Sequence, residues 1–405
     1  MSAVRDNRMS PMTETGNKDG PLRAVYAFSG DPITLGHVDI VRRAARTYDE
    51  LVVAIGENPE KSSAYLFSRA KRLELARQAL EHLPNVTCVA FDGLLAEYAY
   101  RNGFDVIVRG VRNNSDLEGE LELFAIIKSL HPSIDVVFLP AQPELAHISS
   151  RVTKAIVSEG GDVSAYCPLH VKEALERRIL DKFFVGIAGG IAAGKSRLAE
   201  DLVAALSAHV PATHINLDSV GHYVLGTTEK DICQRTRRRI AETFGAAVQR
   251  ADGSIDRQKL GRIVFDDPRR LAQLDEIMRS PMLARLYEQT RRIARGVIIL
   301  EGAILVEAGW TQLVNNRVIL VDAPEDVRIR RLVETRGMDR DEAATKVARQ
   351  PTAAERRTRM QTFIEAARWG QLWEVDTGDG DADAQVLARE IVALREAALD
   401  GHQAD

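Results

Sequence analysis

The stretch Gly189-Gly190-Ile191-Ala192-Ala193-Gly194-Lys195-Ser196 constrains this chain more than any other. It follows a short apolar run, Phe183 to Ala188 (FFVGIA), whose length and composition predict a buried strand. It precedes Arg197 to Ser207 (RLAEDLVAALS), where apolar residues recur at helical spacing. The octet satisfies G-x-x-x-x-G-K-[ST], and strand, glycine-rich turn and helix are the context that phosphate-binding P-loop needs. The glycines let backbone N–H groups approach a polyphosphate, and the helix N-terminus adds partial positive charge. Lys195 is then placed to reach the β- and γ-phosphates, and the Ser196 hydroxyl to ligate Mg²⁺. A glycine-rich turn with an exposed lysine is the bland alternative, and it leaves both flanks unexplained.

A nucleotide site is thus expected near the middle of the chain, and the first half needs its own account. At 405 residues the chain exceeds one ordinary core, so two domains are expected. Its 45% apolar and 28% charged residues make an ordinary globular balance. A net charge of −4 gives no reason to expect a nucleic acid partner. No apolar run approaches the ~20 residues needed to span a bilayer, so no membrane partner is expected either. Residues 1–21 are polar and aperiodic and lack the apolar centre of a signal peptide, which predicts a disordered leader. Cys88, Cys167 and Cys233 show no metal or redox spacing, in keeping with packing roles in a reducing cytoplasm.

The first half alternates strand and helix signals. Strands are expected at 22–28, 50–55, 86–91, 105–108 and 134–139, and helices after His37 and over 69–82, 94–102 and 117–130. That alternation predicts a parallel, doubly wound sheet with ligands outside the carboxyl ends of its strands. Thr34-Leu35-Gly36-His37 opens the first helix, where the dipole favours an anion and an imidazole N–H can support developing charge on phosphate. Taken alone, a histidine that merely caps or packs on its helix explains the pair as well. Arg109-Gly110-Val111-Arg112 is expected just past a strand end, where two guanidinium groups suit phosphate or solvent. Ile148-Ser149-Ser150 opens a helix, where hydroxyls cap it or hold a phosphate. Lys61 follows the second strand.

Together, YAFSGDPITLGHVDIV (26–41), VRGVR (108–112) and HISS (147–150) resemble phosphopantetheine adenylyltransferase, a nucleotidyltransferase with a T-x-G-H signature, over about residues 22–178. The resemblance implies that Ser29 and Lys61 hold the phosphate of 4′-phosphopantetheine, with Ser29 and Gly30 also against ATP. It implies that Thr34 to His37, Gly36 included, hold the ATP phosphates and that His37 stabilises the transition state. Arg109 would contact substrate; Gly110, Val111, Arg112, Glu120, Ser149 and Ser150 would complete the nucleotide site; Leu95 would line the pantetheine arm. The family's P-G-[ST]-F-D reads Ala27-Phe28-Ser29-Gly30-Asp31 here, and Arg151 replaces a third serine.

In the second half, Val171 to Lys182 predicts an amphipathic helix running straight into the strand at Phe183. His214 to Leu217 reads as a short strand ending at Asp218, a carboxylate placed to accept a hydroxyl proton, order Mg²⁺ or cap a helix. His222 follows on the same face, and further buried strands are expected at 297–300 and 317–321, with Glu301-Gly302 between them. The arginines over 325–359 suit a lid above ATP, although for any one of them a solvated helical face is the simpler account.

GGIAAGKS (189–196), LDSVGHYVL (217–225), ADGSIDRQKLGRIVFDDP (251–268) and ILVE (304–307) resemble dephospho-coenzyme A kinase over about residues 183–398. That implies Asp218 as the base for the 3′-hydroxyl of dephospho-coenzyme A, with His222 and Arg257 in the substrate region. Gly189 and Ala192, Ala193, Gly194, Lys195, Ser196 and Arg197 would hold ATP. Asn216 and Ser280 stand where the family has an aspartate and a histidine, and VDTG (375–378) also departs from the family pattern.

The two resemblances name consecutive reactions that yield coenzyme A. They imply a leader at 1–21, a Rossmann-like nucleotidyltransferase domain at 22–180, and a P-loop kinase domain with helical insertion and lid at 181–400. The expected partners are ATP with Mg²⁺, 4′-phosphopantetheine and dephospho-coenzyme A, and a homo-oligomer through the N-terminal domain is compatible. Two rivals stand beside this reading. One is another nucleotidyltransferase fused to a nucleoside-type kinase; the other is a nucleotide-binding regulatory protein with an inactive kinase half.

Overall fold

A computed structural model describes residues 20–57, 65–264, 267–378 and 383–397. Most of the expected leader, and Lys61, lie outside these residues. The first half runs β1 (Arg23–Phe28), α1 (Leu35–Ala44), β2 (Glu50–Ile55), α2 (Arg69–Leu80), β3 (Val86–Ala90), α3 (Leu95–Arg101), β4 (Val106–Val111), α4 (Asn114–Leu130), β5 (Asp135–Pro140) and α5 (Ser150–Ser158). Its five strands form one parallel sheet in the order β3-β2-β1-β4-β5. The chain turns one way from β1 and the other way at β4, so their carboxyl ends frame the crevice where such sheets bind ligands.

After α6 (Leu169–Leu180) the second half runs β6 (Lys182–Gly189), α7 (Lys195–Ser207), β7 (Ala212–Asn216), α8 (Leu217–Leu225), α9 (Asp231–Phe244), α10 (Arg257–Val264) and α11 (Pro268–Arg291). It continues through β8 (Gly296–Glu301), β9 (Arg317–Asp322), α12 (Glu325–Arg336), α13 (Arg340–Ala348), α14 (Ala353–Ala367), β10 (Gln371–Asp376) and α15 (Ala384–Ala397). This second parallel sheet has the order β10-β9-β6-β8-β7. Every residue of β6 is buried, as a central parallel strand covered on both faces requires. Among the described residues, no helix is long and apolar enough to cross a membrane. The three cysteines are free and buried.

Three expectations are corrected. Arg109, Gly110 and Val111 do not follow a strand; they belong to β4, because β5 stays in register with them as far as Val111 beside Pro140. Asp218 is not at a strand end but in the first turn of α8, since the ladder to β8 stops at Asn216 opposite Glu301. The helix at 169–180 is not amphipathic in the sense of one wet face, because all of Leu169 to Arg177 is buried. Val171, Ala174 and Leu175 join the first half's core. The charged side meets the second half: Arg317 clamps Glu173 at 2.6 and 2.9 Å, and Asn315 bridges Lys172 and Glu176 at 2.9 and 2.7 Å. Lys172 also pairs with Glu176 at 2.8 Å. Buried charge is tolerated here because each partner is supplied in place.

Candidate functional site

A cavity of about 700 Å³ opens at the carboxyl ends of β1 and β4. Tyr26 to Ser29, Thr34, Gly36, His37, Arg109 to Arg112, Glu120, Ser149, Ser150 and Arg151 all line it. Stretches spread between Tyr26 and Arg151 thus converge because they sit at strand ends and helix starts on one sheet edge. A Cβ on Gly36 would meet nothing closer than 3.6 Å, so the protein's own packing does not demand glycine there. Close approach of a ligand remains the reason for it.

His37 is defined by its neighbours. The Thr34 N–H donates to Nδ1 at 3.1 Å, and the Thr34 hydroxyl lies 2.9 Å from the same nitrogen. Nδ1 is therefore an acceptor, which places the ring proton on Nε2. The ring stacks on Phe28 with centroids 4.4 Å apart. Burial, then the nearby Arg112 charge, push its pKa down to about 4, so the ring stays neutral at physiological pH. It is both the helix cap and a candidate donor to phosphate.

Arg109 is held by Glu120 at 2.6 Å and donates to the Ala27 carbonyl at 3.0 Å. Arg112 pairs with Asp116 at 2.7 Å. Ser149 caps α5 by accepting the Val152 N–H at 3.2 Å, and Ser150 donates to the Pro32 carbonyl at 2.8 Å. Asp31 anchors the loop after β1: its carboxylate accepts Leu66 and Phe67 N–H at 3.0 Å each and meets Lys154 at 2.6 Å. Two expected residues sit elsewhere. Leu95 packs against the core cluster around Val25 and Ile107, and Gly30 turns the chain with φ +64° beneath Ile55.

The P-loop joins β6 to α7. Gly189 has φ +150°, and a Cβ there would fall 2.1 Å from the Val321 carbonyl, so only glycine fits. The next four carbonyls each meet a donor. Lys195 Nζ reaches Gly190 O at 2.8 Å, Arg328 reaches Ile191 O at 3.0 Å, Arg331 reaches Ala192 O at 3.2 Å and the Thr377 hydroxyl reaches Ala193 O at 2.8 Å. Gln350 accepts the Ile191 N–H at 2.7 Å and is held by Arg328 at 2.8 Å. A Cβ on Gly190 would lie 2.3 Å from Arg328. Gly194 starts α7, while Arg197 lies outside the loop on an exposed face, 3.8 Å from Asp201.

The Ser196 hydroxyl donates to Glu301 at 2.7 Å. The other Glu301 oxygen meets His214 and Asn216, each at 2.9 Å. Burial alone would raise the Glu301 carboxyl, but these hydrogen bonds together bring it below the usual range. Burial lowers the Lys195 pKa and raises that of Asp218; each charge opposes the other's shift. Asn216, not Asp218, caps α8, accepting the Ser219 N–H at 2.9 Å. Asp218 is thus not spent on the cap, and the Lys195 charge acts on it. His222 is lowered by burial and then by Arg257, which places that arginine near it.

The sequence places Glu301 at a strand end near this site, but Arg328, Arg331, Gln350 and Thr377 are not singled out one by one. Glu301 carried a weak signal as the last residue of a buried strand. For the others, no local spacing separates a loop-binding arginine from a solvated one.

Comparison with known proteins agrees with both halves. The Cytidylyltransferase-like family model matches residues 29–155, and the Dephospho-CoA kinase model residues 183–368. The phosphopantetheine adenylyltransferase of Methylococcus capsulatus is 43% identical over 157 residues, covering 39% of this chain and 96% of that protein. The protein of the same name from Thermosynechococcus vestitus is 44% identical over 155 residues, 38% of this chain and 91% of that one. That of Caldanaerobacter subterraneus is 39% identical over 160 residues, 40% and 96% respectively. The chain belongs to the phosphopantetheine adenylyltransferase family through its first half and carries a dephospho-CoA kinase domain in its second, two transferases in one polypeptide.

Proposed function

We propose that the chain performs the last two steps of coenzyme A biosynthesis at two separate sites, dividing near residues 180 and 181. In the first step a phosphate oxygen of 4′-phosphopantetheine attacks the α-phosphorus of ATP, and pyrophosphate leaves. His37 donates from Nε2 to the phosphate as charge builds, with Arg109, Arg112 and the α5 N-terminus, capped by Ser149, beside it. Ser29 and Lys61 hold the acceptor phosphate. In the second step the ribose 3′-hydroxyl of dephospho-coenzyme A attacks the γ-phosphorus of a second ATP, and ADP leaves. Asp218 accepts the hydroxyl proton, Lys195 holds the transferring phosphoryl, and His222 and Arg257 orient the acceptor.

The observation that carries this reading is a P-loop whose Lys195 and the nearby Asp218 each feel the other's charge, in the same chain as a His37 held neutral with its proton on Nε2. Mg²⁺ fits the second site. It asks for one or two carboxylates, substrate phosphates and waters rather than a protein cage. Ser196, Glu301 and Asp218 are the groups that would hold it, and the ion would neutralise charge on the phosphates. Among the described residues no cluster of three or more His, Cys, Asp or Glu is arranged to hold a metal ion.

The setting proposed is the cytoplasm. Leu121, Ile126 and Leu130 on α4 are about half exposed, which supports self-association through the first half. The test is to incubate the purified chain with phosphopantetheine, ATP and Mg²⁺. Dephospho-coenzyme A and then coenzyme A should form; if neither does, the reading fails.

A further inference from the structure

A second cavity, of about 520 Å³, lies between the two halves. It borders the opposite side of α1 from the first site. Gly36, His37 and Ile40 line the first; Leu35, Val38 and Arg42, one helical face at i, i+3 and i+7, line the second. From the other half come Gln312 and the end of α14, with Phe363, Ala366 and Arg368.

The lining mixes apolar side chains, uncharged polar groups such as Gln78, Thr311 and Asn316, and basic groups, a mixture that suits a small molecule with both apolar and charged parts. Leu35, Val38, Ala79 and Phe363 supply the apolar part. Arg42, His82 and Arg368 supply the basic part, and they lie within electrostatic reach of one another: after burial, it is Arg368 that most lowers the His82 pKa, with Arg42 adding to it and Glu81 opposing. Arg42 is engaged by Asp39 at 2.8 Å, a carboxylate that Arg43 shares at 3.0 Å. Arg368 has no carboxylate partner among the described residues, and His82 Nδ1 is buried without a hydrogen-bond partner. The buried, unpartnered His82 nitrogen is a cost that a ligand would remove, and the solvent-exposed Arg368 guanidinium is placed to meet an anion there.

We propose that this cavity is a third binding site, taking a small organic anion with an apolar body, its charged group on Arg368, His82 and Arg42. The cavity shares α1 with the first site, since that helix carries His37 on its other side. The binding claim does not depend on the two reactions proposed above, and its test reads no turnover.

The probe is 8-anilinonaphthalene-1-sulfonate, an aromatic body with one anionic group, titrated into the full chain with ATP and Mg²⁺ saturating. One saturable site is expected by fluorescence. Arg368→Glu should weaken it about tenfold or more, and the neutral N-phenyl-1-naphthylamine should bind about tenfold less well. Ala366→Trp, which fills the cavity without touching its charge, should abolish the site. An unchanged titration in either variant overturns the assignment, as does equal binding of the neutral probe. Should Arg368→Glu fail to fold by circular dichroism, Ala366→Trp and the neutral probe decide it.

Discussion

His37 and Lys195 occupy matching places in their halves, each in the first turn of the helix that follows a sheet's first strand, and they are held in opposite ways. His37 uses Nδ1 on Thr34, and among the described residues Nε2 makes no hydrogen bond. Its donor stands ready beside an open cavity. Lys195 folds back on Gly190, and the P-loop carbonyls, the Ile191 N–H and the Ser196 hydroxyl are all engaged within the protein. At the first site the His37 donor is already free, although Arg109 and Arg112 are held by Glu120 and Asp116. The second must exchange internal hydrogen bonds for those of a phosphate, and Gln350 in the lid region has to let go of Ile191 for that N–H to serve ATP. A preorganised donor and a lid-coupled one are two ways of stabilising the same kind of charge.

The largest effect that would test this contrast is Lys195→Ala. The second step should fall about a thousandfold while the first is untouched, so that dephospho-coenzyme A accumulates on chromatography. Coenzyme A made at the normal rate would break the assignment. Next is Glu173→Ala, which strands Arg317 between the halves and should cost about 3–5 kcal/mol in urea unfolding. A smaller loss would mean that the halves are less firmly joined than the buried pair implies. His37→Ala should slow the first step about a hundredfold, yet leave phosphorylation of added dephospho-coenzyme A unchanged.

Thr377→Val removes one hydroxyl from the loop's outer support and should weaken ATP binding to the second site by about 1 kcal/mol. No change would show that the carbonyl contacts do not order the loop. The smallest expected effect concerns pH. The folded pKa of His37, about 4, lies below its ordinary value, so the unfolded chain gains the proton first as pH falls. The stability that the neutral ring contributes is therefore full above about pH 6.5 and lost as pH falls through about 4. Proton NMR of the His37 ring should show no titration between pH 8 and about 5, and a midpoint near 6.5 would refute the lowering of its pKa by burial and Arg112.

Much of the fold was legible because period and punctuation are local. The strand at Glu50–Ile55 and the P-loop flanks follow from apolar runs bounded by breakers. What misled was wherever a neighbour decided the outcome. Arg109 to Val111 look like a turn until β5 pairs with them. Leu95 has nothing in its sequence to say that it packs, partly buried, against the cluster of Val25 and Ile107. The helix at Leu169–Leu180 has an amphipathic pattern, and only the second half's Arg317 and Asn315 turn its charged side into an interior.

By itself the sequence determined two parallel α/β units and two glycine-bearing helix starts suited to anions, because glycine, helix dipole and hydroxyl spacing act over a few residues. Tertiary structure decided the protonation and the partners. It set the proton on His37 Nε2 through Thr34 and Phe28, freed Asp218 from capping by giving that task to Asn216, and brought Glu301, Arg328 and Thr377 onto the P-loop from distant strands and helices. The physical reason is range: backbone preferences are fixed by adjacent residues, whereas burial and hydrogen-bond partners depend on whatever the completed fold packs alongside.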